Sequence, residues 1–332
     1  MNVTANRSDS ARRRARPTSL WIRSLVFAGL IGISACFHAR QNPSSNQTNS
    51  QRVPAPQETA EVINSLRCST PAVSTPKTGY IRQARAKTKM TWNNLKVERK
   101  IIKVFFHVIT KGEYQTTDGN ISEATVEEQM RILNEKFAET NVQFKLEDVD
   151  WHKDKTEDLA WYRMTQNSPA ETAAMKKLGV KLKNVLNVYT AGLNGTRGWG
   201  VYPWDFRLDP YRDGVVVCFE TLPIGNTNYH GKTLVHEVGH WLGLLHTHEN
   251  GCAQPGDAVA DTPAEEIPAP PNVCLYEERR DTCREDPGYD PVENFMDTSP
   301  DSCMFKFTPG QSARIDWFEK CRRQVGPCSP YL

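Results

Sequence analysis

The sequence lacks several features that would assign it to a common class of protein. No two of its nine cysteines have the CxxC spacing of a structural zinc knuckle. Its 41 Lys and Arg residues nearly balance its 39 Asp and Glu residues, so we expect no nucleic-acid partner. No internal repeat runs along the 332 residues. We expect a mostly globular chain, because 38% hydrophobic residues are enough to build a core.

The N-terminus lacks an apolar run long enough to span a bilayer, but it has the pattern of an export signal. Five arginines between positions 12 and 23 precede the apolar run 25–35, which is well short of the ~20 residues that a span needs. The run ends in Ile33-Ser34-Ala35-Cys36, which resembles the lipobox of bacterial lipoproteins. Lipidation of Cys36 and cleavage by an ordinary signal peptidase both stay open. In either case we expect a secreted protein or an outer-surface lipoprotein, which contacts a membrane only through a lipid anchor.

Composition divides the chain into four segments. The export signal covers 1–36. A flexible tether covers 37–57, because this stretch is rich in Asn, Gln, Ser and Pro and buries too little apolar surface to offset the entropy of ordering. Residues 58–96 are basic and lack a periodic apolar pattern, whereas strand and helix patterns become regular in 97–332. We therefore expect a folded domain to begin near Leu95.

Strand and helix patterns alternate along this domain. Four strands are predicted from β-branched, aromatic and alternating residues, at 101–109, 142–146, 186–189 and 214–219. One helix is predicted to open with a capping box at Thr125 and Glu128. A second is predicted to open at Ser168, with Pro169 as its first residue. The order strand, helix, strand, helix, strand predicts an α/β (α+β) fold with a sheet that is at least partly parallel.

Four histidines and one glutamate lie in the otherwise apolar stretch HEVGHWLGLLHTH at 236–248. His236 and His240 are four residues apart, so on a helix they lie on one face and can offer two imidazole nitrogens to one ion. Glu237 is placed for a water at that ion rather than for the ion itself. This spacing predicts a metal site with a carboxylate beside it.

A third ligand is predicted beyond the end of that helix. Gly243 lies where a left-handed residue commonly ends a helix, and the turn can bring His246 back to the metal. Three neutral imidazoles leave the fourth tetrahedral position of Zn²⁺ open, which is typical of a catalytic site. A thermolysin-like site would instead use Glu265 or Glu266, and it would leave Gly243 and His246 without a role.

The extended pattern HExxHxxGxxH is typical of the metzincin metalloproteases, and Asn294-Phe295-Met296-Asp297 resembles their Met-turn, in which Met296 lies under the zinc. Within that group the chain resembles the pappalysin family, especially the ulilysin- and cytophagalysin-like secreted proteases of bacteria and fungi. The matching stretches lie between Val97 and Phe318, in family order: FFHV at 105–108, LNVY at 186–189, GVYPW at 200–204, GVVV at 214–217, DTP at 261–263, DTC at 281–283, DSC at 301–303 and FTPGQ at 307–311.

The resemblance implies a zinc-dependent endopeptidase. In it His236, His240 and His246 hold Zn²⁺ and Glu237 is the general base. The implied fold is a metzincin-like catalytic domain, with a twisted, mostly parallel sheet, an active-site helix and an irregular C-terminal subdomain pinned by disulfides. A protein or peptide substrate would lie as an added strand along an edge strand near 197–202. We expect a monomer.

The resemblance also implies a second kind of metal site. Asp257, Asp261 and Thr262 match in type the residues that help bind Ca²⁺ in the family, and oxygen ligands suit that ion. An ordinary surface turn is the alternative interpretation.

Disulfides and a latent form follow from the resemblance as well. Cys68 resembles the pro-segment cysteine of the family's latent forms, whose thiolate occupies the open zinc position. By this resemblance 58–96 is a pro-segment, released by cleavage within 82–89. A disulfide between Cys68 and Cys218 is the competing interpretation. The other pairings are Cys252 with Cys283 and Cys274 with Cys303, both implied by the family, and Cys321 with Cys328, which are close enough in sequence to close a short loop.

One position departs from the family pattern. Thr298 follows the Met-turn where related enzymes carry a tyrosine, whose hydroxyl assists the tetrahedral intermediate. Threonine is too short to reach as far, and loss of an oxyanion donor costs about 10²- to 10³-fold in rate. His248 is a candidate to help instead. The alternative function is a catalytically weak, zinc-containing surface lipoprotein for binding or adhesion.

Overall fold

The computed structural model describes residues 68–70, 99–112, 115–182, 184–205, 209–225, 230–270, 274 and 279–323. The predicted export signal with Cys36, the tether and the cleavage stretch lie outside these residues, as does the predicted Cys321–Cys328 pairing. Within the described residues the chain forms a mixed α/β fold, as predicted.

One five-stranded sheet organises the fold. Its strands are β1 Lys100–Thr110, β2 Val142–Lys153, β3 Val185–Ala191, β4 Gly198–Gly200 and β5 Val215–Cys218. They are ordered β2-β1-β3-β5-β4, and neighbouring strands are parallel except for β4 with β5. β3 and β5 are buried along their whole length, as is usual for strands with elements packed on both faces. β4 is an edge strand within the region where the substrate edge was predicted.

Helices and short turns accompany the sheet. The α-helices are α1 Glu123–Lys136, α2 Pro169–Leu178, α3 Lys232–Trp241 and α4 Pro309–Arg323, and the 3₁₀ turns are Thr116–Asp118, Glu157–Leu159, Pro210–Arg212 and Phe219–Thr221. α2 begins as predicted, because the Ser168 hydroxyl accepts the Glu171 N–H. α4 was not predicted. Among the described residues, no helix combines the length and the apolar character that crossing a bilayer requires.

The predicted start of α1 is wrong. Ser122, rather than Thr125, caps this helix, and its hydroxyl accepts the Thr125 N–H at 3.2 Å. Ser122 and Thr125 are three positions apart, and the hydroxyl of either residue could accept the backbone N–H group three residues later. The earlier cap prevails because it lengthens the helix by almost a turn while still satisfying a terminal N–H group.

The core lies where the helices pack on the sheet. α1 buries Val126, Met130 and Leu133, as its spacing indicates. α3 packs against β4 and β5 and is buried at every residue from Thr233 to Trp241. Because polar groups on such a helix have no access to bulk water, its histidines and glutamate need partners inside the protein.

Covalent bridges hold the chain between α3 and α4, where the described residues form no regular helix or strand. The disulfides Cys252–Cys283 and Cys274–Cys303 are both present, as the resemblance implied. An isolated parallel bridge also pairs Asn294 with Lys306. The predicted irregular, disulfide-pinned C-terminal part is therefore confirmed.

Candidate active site

Two histidines of α3 direct their Nε2 atoms at one point. His236 Nδ1 is 2.7 Å from the Phe295 carbonyl oxygen, and His240 Nδ1 is 2.9 Å from the Leu244 carbonyl oxygen. A carbonyl oxygen only accepts, so each Nδ1 carries the hydrogen and each Nε2 keeps a lone pair. The two Nε2 atoms are 3.1 Å apart.

His246 completes this group, with its Nε2 atom 3.1 Å from that of His240. Lone pairs at such a distance repel unless a cation lies between them. Tetrahedral ligand atoms at Zn–N distances of about 2.0–2.1 Å would be about 3.3 Å apart, so the donor set fits Zn²⁺. Burial lowers the pKa of His246 to about 4 and that of His240 well below its ordinary value, which keeps both imidazoles neutral as metal ligands must be.

The turn after α3 explains how His246 reaches the other two ligands. Gly243 has a φ of +93°, a left-handed conformation that glycine adopts at little cost. A Cβ at this position would also lie 2.2 Å from the Phe318 ring. The Gly243 N–H donates to the His240 carbonyl, and the Leu244 N–H donates to that of Gly239. The sharp reversal predicted at Gly243 is therefore present.

The Met-turn residues lie directly against α3. A Cβ on Gly239 would be 2.4 Å from the Met296 sulfur, and Met296 is fully buried. In the same turn, Asn294 Oδ1 accepts the Met296 N–H at 2.9 Å, and the Phe295 carbonyl holds His236. This segment thus orients one histidine and supports the helix that carries two of them.

Glu237 belongs to α3, and its fully buried side chain lies against the edge strand β4. A Cβ on Gly198 would be 3.1 Å from Glu237 Cγ, and one on Gly200 would be 2.4 Å from the Glu237 carbonyl oxygen. The two glycines therefore let β4 approach the carboxylate closely.

Residues 68–70 lie along β4. The Ser69 N–H donates to the Gly198 carbonyl at 2.8 Å, and the Gly200 N–H donates to the Thr70 hydroxyl at 2.9 Å. The same hydroxyl donates to Glu237 Oε2 at 3.1 Å. This short segment therefore occupies the hydrogen-bonding groups of the edge strand beside the glutamate.

Cys68 lies over the three histidines. Its Sγ atom is 3.5 Å from His240 Nε2 and 3.4 Å from Glu237 Oε2, and it forms one group of candidate ligand atoms with the three imidazoles. Cys68 is not in a disulfide, whereas Cys218 is disulfide-bonded. The competing pairing of Cys68 with Cys218 is therefore wrong.

The predicted calcium ligands do not form a comparable group. Both oxygens of Asp261 accept hydrogen bonds at the start of α4, from the Thr308 hydroxyl at 2.7 Å and the Gly310 N–H at 2.9 Å. Asp257 is buried, and its Oδ1 accepts the Val259 N–H. The clusters of His, Cys, Asp and Glu ligand atoms found among the described residues include neither aspartate. Thr262 is also buried, and the calcium site stays a prediction.

The aromatic residues of the edge region pack inside the protein. Tyr202 is buried, stacks on Trp204 with 4.4 Å between ring centroids, and meets the His240 ring edge-on at 5.4 Å. Trp199 is fully buried and donates to Glu171 Oε1 at 2.6 Å. Core packing therefore describes Trp199 and Tyr202 better than contact with a substrate does.

Of the two positions that raised doubt, Thr298 is buried and His248 packs against one of the three histidines. Thr298 is 2% exposed, and the His248 ring stacks on that of His246 with 4.8 Å between centroids. Glu265, the ligand that a thermolysin-like site would use, instead accepts hydrogen bonds from the Thr247 hydroxyl and from Arg280, and it is outside the three-histidine group.

Thr70 and Glu171 are the site-supporting residues that the sequence interpretation missed. Thr70 contacts Glu237 across 167 positions of sequence, and Glu171 anchors β4 through Trp199. No local pattern encodes either contact, and proximity to Cys68 was the only available signal for Thr70.

Comparison with known proteins identifies relatives of this chain. Residues 174–318 match the model of peptidase family M43, described as pregnancy-associated plasma protein-A. An extracellular metalloprotease of Pyricularia oryzae is 36% identical over 219 residues, covering 64% of this chain and 73% of that protein. One of Verticillium alfalfae is 36% identical over 225 residues, covering 65% of this chain and 75% of that protein.

Solved structures show the same fold. Mature mirolysin of Tannerella forsythia, in complex with a cleaved peptide, has a TM-score of 0.54 at 24% identity and covers 69% of this chain and 96% of its own. A promirolysin mutant of the same organism has a TM-score of 0.59 at 22% identity and covers 78% of this chain and 95% of its own. The fungal relatives match over most of their length, and the family model covers the stretch that contains the three histidines. The chain therefore belongs to the pappalysin family, peptidase family M43, and is a metalloprotease.

Proposed function

We propose that the protein is a zinc-dependent endopeptidase that acts outside the cytoplasm. The observation that carries the proposal is the convergence of three Nε2 atoms, from His236, His240 and His246, at 3.1 Å between neighbours. The hydrogens of two rings are fixed on Nδ1 by backbone carbonyls, so these rings have lone pairs to give. When bound, Zn²⁺ supplies a Lewis acid that polarises the scissile carbonyl and lowers the pKa of water.

Glu237 is the general base in this proposal. It accepts a proton from the attacking water and passes it to the leaving amine. Its burial beside the three histidines supports this role. Its Oε2 atom also faces β4, where it accepts a hydrogen bond from the Thr70 hydroxyl at 3.1 Å.

The substrate is a protein or peptide that adds as a strand to β4. Gly198 offers a carbonyl and Gly200 an N–H group at this edge, and both are used by residues 68–70. An extended substrate can make the same backbone hydrogen bonds. Substrate and this segment therefore compete for one edge.

The chain is made in a latent form in which Cys68 is the fourth zinc ligand. Its Sγ lies 3.5 Å from His240 Nε2, and a thiolate there would exclude water from the metal. In this proposal 58–96 is the pro-segment, 97–332 is the catalytic domain, and cleavage within 82–89 precedes activity. The segments 1–36 and 37–57 act as export signal and tether.

Extracytoplasmic location has two supports. Two disulfides hold the C-terminal part, and such bridges persist in oxidising compartments. The fungal relatives are named extracellular metalloproteases. Lipidation of Cys36, a monomeric state and a Ca²⁺ ion at Asp257, Asp261 and Thr262 stay predictions.

The test compares the proteolytically activated chain with its Glu237→Ala variant on casein and on a mixed peptide library. We expect o-phenanthroline-sensitive cleavage that the variant loses while it still binds about one zinc ion per chain at the three histidines, as expected if Glu237 acts on water rather than on the metal. Bound zinc without turnover in the unmodified chain would support the binding or adhesion alternative. A chain that binds no zinc would falsify the proposal.

A further inference from the structure

A second group of candidate metal ligands lies on β1 and β2. It consists of His107, Asp150 and His152, whose ligand atoms all lie within 4.8 Å of one another. His107 and Asp150 are register partners on the two parallel strands, and His152 lies two residues further along β2, on the same face as Asp150. This His/Asp cluster shares no residue with the three-histidine site.

The hydrogen-bonding pattern fixes the ring of His107. Asn187 is held by Val180, whose N–H donates to Oδ1 at 2.8 Å and whose carbonyl accepts from Nδ2 at 3.2 Å. The amide oxygen of Asn187 therefore faces His107 Nε2, at 3.1 Å. Since an amide oxygen only accepts, that nitrogen carries the hydrogen.

The other nitrogen of the ring then faces a carboxylate. His107 Nδ1 is 2.9 Å from Asp150 Oδ1, and in a neutral imidazole with its hydrogen on Nε2 this nitrogen presents a lone pair. A lone pair directed at a carboxylate oxygen is repulsive unless a cation lies between them. That cation is either a second proton on the ring or a metal ion.

His152 favours the metal ion. Its Nε2 atom is 2.9 Å from the same Asp150 oxygen but lacks the alignment of a hydrogen bond, and it is shielded from solvent. Two imidazole nitrogens and one carboxylate oxygen thus converge, and the Asp150 and His152 side chains are 41% and 34% exposed, so the cluster lies near the protein surface. The hydrogen bond from His107 to Asn187 matches the outer contact that orients metal-bound histidines.

We propose that His107, Asp150 and His152 bind a divalent transition-metal ion, with Zn²⁺ as the representative. Two imidazole ligands suit Zn²⁺, Ni²⁺ or Cu²⁺, whereas Ca²⁺ and Mg²⁺ take oxygen ligands. The ion joins the edge strand β2 to its neighbour β1, and its proposed role is to stabilise that edge. This proposal does not depend on the proposed function.

The test measures zinc content and melting temperature of the full chain at increasing free Zn²⁺. Glu237→Ala serves as the reference background because it prevents self-cleavage. We expect two zinc ions per chain in the reference and one after His152→Gln or Asp150→Asn. His230→Gln, which removes an exposed histidine outside both groups, is the matched control and should keep two. The melting temperature should rise as the second ion binds, since an ion that binds only the folded state stabilises it, and this rise should vanish in the two cluster variants.

The result that overturns the proposal is read from the reference chain together with the two cluster variants. If the reference takes up a single zinc ion across the whole titration and both variants keep it, the cation beside Asp150 is the second proton of His107. A second zinc ion that persists in both His152→Gln and Asp150→Asn would assign that ion elsewhere and equally overturn the proposal.

Discussion

Thr70 joins the segment 68–70 to Glu237, the proposed general base, through one hydroxyl. It is 4% exposed, accepts the Gly200 N–H and donates to Glu237 Oε2. A hydrogen bond to a charged group is worth about 1.5–3 kcal/mol, and about 1.4 kcal/mol corresponds to a tenfold change in an equilibrium. We expect Thr70→Val to raise the peptidase activity of the unprocessed chain by roughly ten- to a hundredfold, measured with a fluorogenic peptide.

Ser69→Ala is the matched control for that substitution. The Ser69 hydroxyl donates to Thr196 at 2.7 Å rather than to the glutamate, so its loss should change the activity of the unprocessed chain much less. Equal activation by Ser69→Ala and Thr70→Val would show that general loosening of the segment, not release of Glu237, sets latency. Thr70→Ser keeps the hydroxyl and should stay near the parent.

At the same scale, the sequence predicts the members of a site better than their partners. His236, His240 and His246 follow from helical spacing and a glycine turn, which are local properties. Thr70 could not be found this way, because its contact with Glu237 spans 167 positions and exists only after the sheet edge has formed. Asp301 is a further example, because it is buried and its carboxylate accepts the His230 and Lys232 N–H groups, at 3.0 Å each, across about 70 positions of sequence.

Among the elements, β4 and α3 approach each other closely. A Cβ on Gly200 would lie 2.4 Å from the backbone oxygen of Glu237, and backbone cannot yield as a flexible side chain can. We expect Gly200→Ala to destabilise the protein by about 1–3 kcal/mol, as overpacking does. We also expect it to lower kcat/KM by shifting the substrate edge. Urea unfolding and peptide hydrolysis measure the two effects.

Gly195→Asn is the control for that prediction. Gly195 has a φ of +82°, which asparagine tolerates, and no atom lies within 4 Å of an added Cβ. It should keep both stability and kcat/KM close to the parent. A Gly200→Ala variant that behaves like Gly195→Asn would contradict the close approach of β4 to α3.

The elements also differ in how well local sequence patterns predict them. The long strand β1 and the helix α2 match their predicted positions because their periodicity and cap are local signals. β4 has three residues, Gly-Trp-Gly, too few for any periodicity. It was located through a family resemblance, and its antiparallel pairing with β5 was not predicted. Its geometry follows from the packing of Gly198 and Gly200 against α3.

For the whole molecule, disulfides hold the stretch between α3 and α4, whose described residues form no regular helix or strand. Cys274–Cys303 closes a loop of sequence separation 29, and Cys252–Cys283 one of 31. By restricting the unfolded chain, a disulfide that closes a loop of this length stabilises the folded state by about 3.5 kcal/mol. We expect the double serine variant of each pair to lose about 3–4 kcal/mol of unfolding free energy in urea denaturation, and a loss below about 1 kcal/mol in both would contradict this account.

The two bridges should differ in their effect on activity. Cys303 is two residues from Asp301, whose carboxylate caps the start of α3, whereas Cys252 and Cys283 have no such contact with that helix in the described structure. Loss of Cys274–Cys303 should therefore lower kcat/KM more than loss of Cys252–Cys283. Peptide hydrolysis well below the melting temperature of each variant makes the comparison, and equal losses would contradict it.

The burial of α3 from Thr233 to Trp241 bears on how the sequence of this protein can change during evolution. The residues from Thr233 to Trp241 are all buried and include His236, Glu237 and His240, so we expect a substitution there to cost stability before it can change the cleavage preference. The segment between α3 and α4 is held by two disulfides, so we expect it to tolerate substitution at its exposed positions. We expect members of this family to differ in substrate specificity mainly through changes in that segment, while the sequence of α3 changes little.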